Sequence, residues 1–89
     1  MDSTLDLLDA AMTEFDISAR ALSLQLGHSP WTLNRARERG TLSPVIAGQI
    51  AELMQLSVEH WMARAVLESE PSSRATDRLR RTLEHVRNS

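Results

Sequence analysis

Cysteine, lysine and tyrosine are all missing from this 89-residue chain, and one phenylalanine and two tryptophans are its only aromatic residues. Without cysteine there is no disulfide, no thiol nucleophile and no thiolate metal ligand, and a reducing compartment is the simple expectation. With three aromatics the core must be aliphatic, and few β-branched runs and no alternating stretch point to an all-α fold. No apolar run approaches the roughly 20 residues that span a bilayer. The first residues carry Asp2, Asp6 and Asp9 in place of a basic leader segment, so no secretion signal is expected and the cytoplasm is the expected location. The three glycines form no phosphate-cradling loop. His28, His60 and His85 lie far apart with no acidic residues at metal-ligand spacing, and no strained nucleophile turn accompanies the serines. Neither a metal, a cofactor nor an enzymatic activity is expected.

What is present is charge laid out in blocks. Residues 1–17 hold five acids and no base, residues 18–40 hold four arginines against Glu38, residues 41–73 hold four acids against Arg64, and residues 74–89 hold five arginines against Asp77 and Glu84. The net charge of −2 therefore conceals two basic segments. Binding to a polyanion depends on the charge a face presents locally, so a basic face on an acidic body is compatible with nucleic acid. A chain this short buries only about 60% of its unfolded surface, enough for one domain that gains from dimerisation.

Six helices are expected. Ser3 or Thr4 caps the first, in which Leu5, Leu8, Met12 and Phe15 form one apolar stripe. Asp16-Ile17-Ser18 breaks it and caps a second helix from Ala19 to Leu26, with Leu22 and Leu26 inward and Gly27 as a left-handed stop. Ser29-Pro30 starts a third helix ending at Arg39 before Gly40. Ser43-Pro44 starts a central fourth helix to Leu56, presenting Ile46, Ala47, Ile50, Leu53 and Met54. Ser57 caps a fifth helix from Val58 to Ser69. Pro71-Ser72-Ser73 is then a linker to an arginine-rich amphipathic segment striped by Leu79, Leu83 and Val86. Residues 1–70 read as one domain and residues 71–89 as a C-terminal helix or tail.

The stretch Ser18–Gly40 has the outline of a helix-turn-helix. Ser23 is small enough for a helix crossing, Gly27 makes the turn, and Leu22, Leu26, Leu33 and Ala36 are apolar anchors. At about 100° per residue, Leu33 and Ala36 define the buried side of the third helix, so Trp31, Asn34, Arg35 and Glu38 point away, flanked by Thr32, Arg37 and Arg39. Asn34 suits an adenine, and Arg35 a guanine or a phosphate. Arg37, Arg39 and Arg20 suit phosphates. Glu38 either accepts from cytosine or restrains Arg35 or Arg37. Trp31 either contacts a thymine methyl or caps the core beside the second helix. Trp61 packs in the core or in a dimer interface.

The run Leu22-Ser23-Leu24-Gln25-Leu26-Gly27-His28-Ser29, followed by Leu33, Arg35 and Gly40, then Ser43-Pro44 and Ile50-Ala51-Glu52-Leu53, resembles the λ-repressor/Cro-type helix-turn-helix domain, most closely its small phage and prophage versions. The resemblance covers about residues 4–69. It implies a five-helix domain, here with an additional C-terminal helix, that binds double-stranded operator DNA as a homodimer and regulates transcription. The surplus of Trp61, Met62, Val66, Leu67, Leu79 and Leu83 over the needs of a small core marks the fifth and last helices as the dimerisation elements. The rival reading is a protein-interaction module, such as an antirepressor or antitoxin-like partner, that keeps the shape without the DNA. Ala19 and Pro30-Trp31, apolar where phosphate or base contacts are expected, are its support.

Overall fold

The structure, a computed structural model, describes residues 1–70 and 74–87. These residues form six helices and no strand: α1 (Thr4–Phe15), α2 (Ala19–Gln25), α3 (Thr32–Arg39), α4 (Pro44–Leu53), α5 (Val58–Ser69) and α6 (Arg74–Arg87). The all-α class is as expected. The linker Pro71-Ser72-Ser73 and the side chain of Val86 fall outside the described residues.

Four serines start four of the helices by one device. Ser3, Ser18, Ser43 and Ser57 hold an extended backbone, and their hydroxyls accept from the amides of Asp6 (3.1 Å), Ala21 (3.1 Å), Ile46 (3.3 Å) and His60 (3.2 Å). Each satisfies one of the amides a helix start leaves unpaired. At α1 the Asp6 carboxylate reaches back to the amides of Asp2 (3.0 Å) and Ser3 (3.2 Å), closing a capping box. These two donors hold the Asp6 carboxyl below its ordinary pKa, the Asp2 amide contributing most.

The core is aliphatic apart from Trp61: Leu7, Leu8 and Ala11 of α1, Leu22 of α2, Leu33 and Ala36 of α3, Leu42, then Ile46, Ala47, Ile50 and Ala51 of α4, with Trp61 and Ala65 of α5. α4 packs on both α1 and α5, as its apolar content requires. Gly48 of α4 lies against α5, since a Cβ there would lie 2.9 Å from Met62 Cγ. Trp61 belongs to this core, so it is not available to a second molecule.

Three expectations are corrected. The buried face of α1 is Thr4, Leu7, Leu8 and Ala11; Leu5 and Met12 only flank it, and Phe15 is 44% exposed beyond the end of the packed surface. The fourth helix stops at Leu53 rather than Leu56, because Gln55 turns left-handed (φ 58°) and the Leu56 amide returns to the Ala51 carbonyl at 2.8 Å. Leu53 is consequently at the surface. The third helix starts at Thr32, two residues beyond the Ser29-Pro30 signal, for a reason given below.

Gln55 occupies a position where glycine is the favoured residue. A left-handed non-glycine residue costs about 1–2 kcal/mol, and glycine returns part of that as extra unfolded-state entropy. Gln55→Gly is expected to raise unfolding free energy by about 0.5–1 kcal/mol, read as a higher urea midpoint at unchanged slope.

Candidate functional site

α2 and α3 are joined by a turn in which Gly27 is left-handed (φ 86°), the conformation a side chain would strain. α3 has no side-chain cap of its own: Trp31 sits at its N-cap position with a helical backbone. The missing cap comes from α2. The Ser23 hydroxyl, fully buried, donates to the Ala19 carbonyl (2.8 Å) and accepts from the Leu33 amide (3.1 Å). Ser23 is therefore both the small residue between the helices and the acceptor that sets where α3 begins. Ser29 and Pro30 are left to form the preceding turn, with the Ser29 hydroxyl 3.0 Å from that of Thr32. Ser23→Ala would leave the buried Leu33 amide without an acceptor, and is expected to cost about 1–2 kcal/mol in denaturant unfolding.

The turn is also tied to α4. His28 Nε2 lies 2.7 Å from Gln49 Oε1, while Gln49 Nε2 donates to the Leu26 carbonyl at 3.1 Å. The end of α2 and the turn thus have fixed positions on the central helix, and α3 inherits them through Ser23.

With Leu33 and Ala36 fully buried, the outward face of α3 is the one geometry requires. Trp31, Asn34, Arg35 and Glu38 line a single shallow concavity of about 320 Å³. All four are exposed. Among the described residues, the side chains of Arg35 and Glu38 make no hydrogen bond or ion pair, so neither side chain is committed to holding the fold. Trp31 does not cap the core: it is 52% exposed, and the Arg20 guanidinium lies over its ring, 5.4 Å from the centroid.

The flanking residues are more occupied. Arg37 Nη2 donates to Asp9 Oδ1 of α1 at 2.8 Å and lies 3.6 Å from Met12 Sδ. Both partners of the ion pair are solvent-exposed, so it holds Arg37 by no more than about 1 kcal/mol. Arg39 Nη2 donates to the Thr41 carbonyl at 3.3 Å. Thr32 is half-buried beside Ser29. Arg20, Trp31, Asn34, Arg35 and Glu38 thus form one connected surface, with Thr32, Arg37 and Arg39 at its margins.

A second polar constellation has no counterpart in the sequence reading. Glu68 of α5 accepts from the Thr4 amide (2.8 Å), the Thr4 hydroxyl (2.5 Å) and the Thr41 hydroxyl (2.6 Å). Thr4 Oγ1 in turn accepts from the Leu42 amide at 3.0 Å. Arg64, one turn before Glu68, donates to the Asp2 carbonyl from Nε (2.6 Å) and Nη2, and pairs with Glu84 of α6 at 3.3 Å. Arg80 of α6 donates to the Leu67 carbonyl at 2.6 Å. This network joins the start of α1, the α3–α4 loop, α5 and α6. Its only sequence signal is the Arg64–Glu68 spacing of four, which is too common on helices to single out.

Between α5 and α6 lies an apolar groove of about 460 Å³ lined by Ala63, Val66, Leu67, Leu79, Thr82 and Leu83. Val66 and Leu79 are 45% and 56% exposed.

Among the described residues, no three histidine or acidic side chains gather as a metal site, and no helix is long and apolar enough to cross a membrane. Compared with family models, curated proteins and solved structures, the chain matches none.

Proposed function

We propose that the chain is a sequence-specific DNA-binding transcriptional regulator, a repressor of the λ-repressor/Cro type that its sequence resembles. The observation that carries this reading is the exposed α3 surface. Asn34, uncommitted Arg35 and Glu38 share one concavity on a short helix whose opposite side is anchored by Leu33 and Ala36. Asn and Arg are the residues whose paired donors and acceptors match adenine and guanine edges, and a helix of this length fits the major groove. A rigid frame lets two or three such side chains discriminate sequences, since a loosely held helix would average over neighbouring base pairs. Repression follows by occlusion of the polymerase site.

The proposed form on DNA is a homodimer reading a palindrome, and the α5–α6 groove is the surface proposed for it. Glu59 of α5 and Glu70 just past its end bracket Ala63 and Val66, and along α6, Arg74, Arg78 and Arg81 border Leu79 and Thr82. A two-fold axis sets the acidic edge of one copy against the basic edge of the other while both cover Val66 and Leu79. Light scattering at micromolar concentration is expected to give a dimer, and Leu79→Glu a monomer; a wild-type monomer that stays single on DNA removes this arrangement.

Selection of bound sequences from a random duplex pool tests the whole reading. Expected are two half-sites about 34 Å apart, one helical turn, and affinity that falls steeply as salt rises. Absence of enrichment at low salt overturns it. The alternative protein-interaction module is favoured by one feature, the apolar Trp31 exposed on the same face. It predicts no enriched DNA.

A further inference from the structure

The Pro30-Trp31 step places an aromatic residue at the entry of α3 where a polar reader is expected, and its role follows from what lies on it. The Trp31 ring is half exposed and is covered on one side by the Arg20 guanidinium. Arg20 is in the first turn of α2, where a positive charge opposes the helix dipole and so does nothing for the helix. Among the described residues Arg20 has no acidic partner. A guanidinium held over an aromatic face by its charge keeps its N–H donors free, and it loses less freedom on binding than a loose side chain does.

We infer that Trp31 is a positioning residue: its ring is a shelf that holds the Arg20 guanidinium at the edge of the α3 face, so that Arg20 clamps a backbone phosphate beside the groove that α3 reads. This rests on the DNA-binding reading and adds to it an assignment of roles. Trp31 acts through Arg20 and reads no base. The rigid Pro30 before it, whose φ is set by its ring, fixes the direction from which the chain delivers the indole. Ser23 fixes the next turn at Leu33, so shelf and reading face are held in one register.

The test uses the full chain and the duplex selected from the random pool, titrated across a salt series. Arg20→Ala is expected to weaken binding about tenfold and to lower the slope of log affinity against log salt by about one, the mark of one lost phosphate contact. Trp31→Leu should do the same, and the double variant no more than either. Trp31→Phe, which keeps a π face, should stay within about twofold of wild type. The ranking of single-base operator variants should be unchanged throughout. The inference is overturned if Trp31→Leu shifts base preference at one operator position and spares the salt slope, or if the two losses multiply. Loss from neither substitution, with wild-type binding intact, overturns it alone; a wild type that selects no DNA overturns it together with the reading beneath it.

Discussion

Glu68→Ala is expected to lower unfolding free energy by about 3 kcal/mol. Glu68 is mostly buried and takes three hydrogen bonds, two from Thr4 and one from Thr41. Hydrogen bonds to a charged acceptor contribute about 1.5–3 kcal/mol each when made, and a donor left buried and unsatisfied costs more than the average bond it replaces. The alanine variant strands the Thr4 amide and removes the carboxylate acceptor of both hydroxyls, leaving them their mutual 3.3 Å contact and the Leu42 carbonyl, 3.2 Å from Thr41 Oγ1. It also removes a carboxylate from beside the buried Arg64, whose Nε is 4.0 Å away. Removing one member of a buried charged pair typically costs 3–5 kcal/mol, and the residual partners of Arg64, Asp2 and Glu84, bring the figure here to the lower end. Against a total stability of roughly 4–13 kcal/mol for a chain of this size, that is a large fraction. Urea unfolding should show the drop, and Glu68→Gln, which retains an acceptor oxygen, should recover part of it. An alanine variant within about 0.5 kcal/mol of wild type, the range of ordinary surface substitutions, would show that the network adds nothing to folding.

That network explains which parts of the fold are legible in the sequence. The caps of α1, α2, α4 and α5 are readable because a cap is local: a serine and an amide three residues on, with a proline at the first position of α4. The start of α3 is not, because the acceptor for the Leu33 amide is Ser23, ten residues upstream on another helix. With that bond available, the serine and proline that would ordinarily open the helix are free to make a turn. The phase of α1 fails for the same physical reason. Thr4 looks like a surface or cap residue, and it is buried because Glu68, 64 residues away, completes its hydrogen bonding. Its burial rotates the inward face toward Leu7 and Ala11, and Phe15 falls outside the packed surface. The outward face of α3 is legible because two apolar anchors and the helical period fix it without any distant partner. The contact of Arg20 with the Trp31 ring is not, since it depends on how α2 and α3 meet.

Arg35→Ala is expected to weaken operator binding by about ten- to a hundredfold while leaving the melting temperature unchanged. The two halves of this expectation come from the same observation. Arg35 is exposed on α3 and its side chain makes no hydrogen bond or ion pair among the described residues, so truncation removes nothing that holds the fold; exposed substitutions of this kind stay within about 0.5 kcal/mol. Its guanidinium stands in one concavity with Asn34 and Glu38, where a bidentate contact to a guanine edge would be worth about 1–3 kcal/mol of discrimination. The form of the loss separates the two roles open to Arg35. If it reads a base, selection with the variant should relax at one position of each half-site with the salt dependence nearly intact. If it holds a phosphate, all sequences should weaken alike and the salt slope should fall by about one. Arg37→Ala is the internal comparison: its ion pair to Asp9 is a weak surface contact that phosphate can replace, so the variant should lose affinity uniformly and keep its sequence preference. Unchanged operator affinity in Arg35→Ala would move the site off the α3 face altogether.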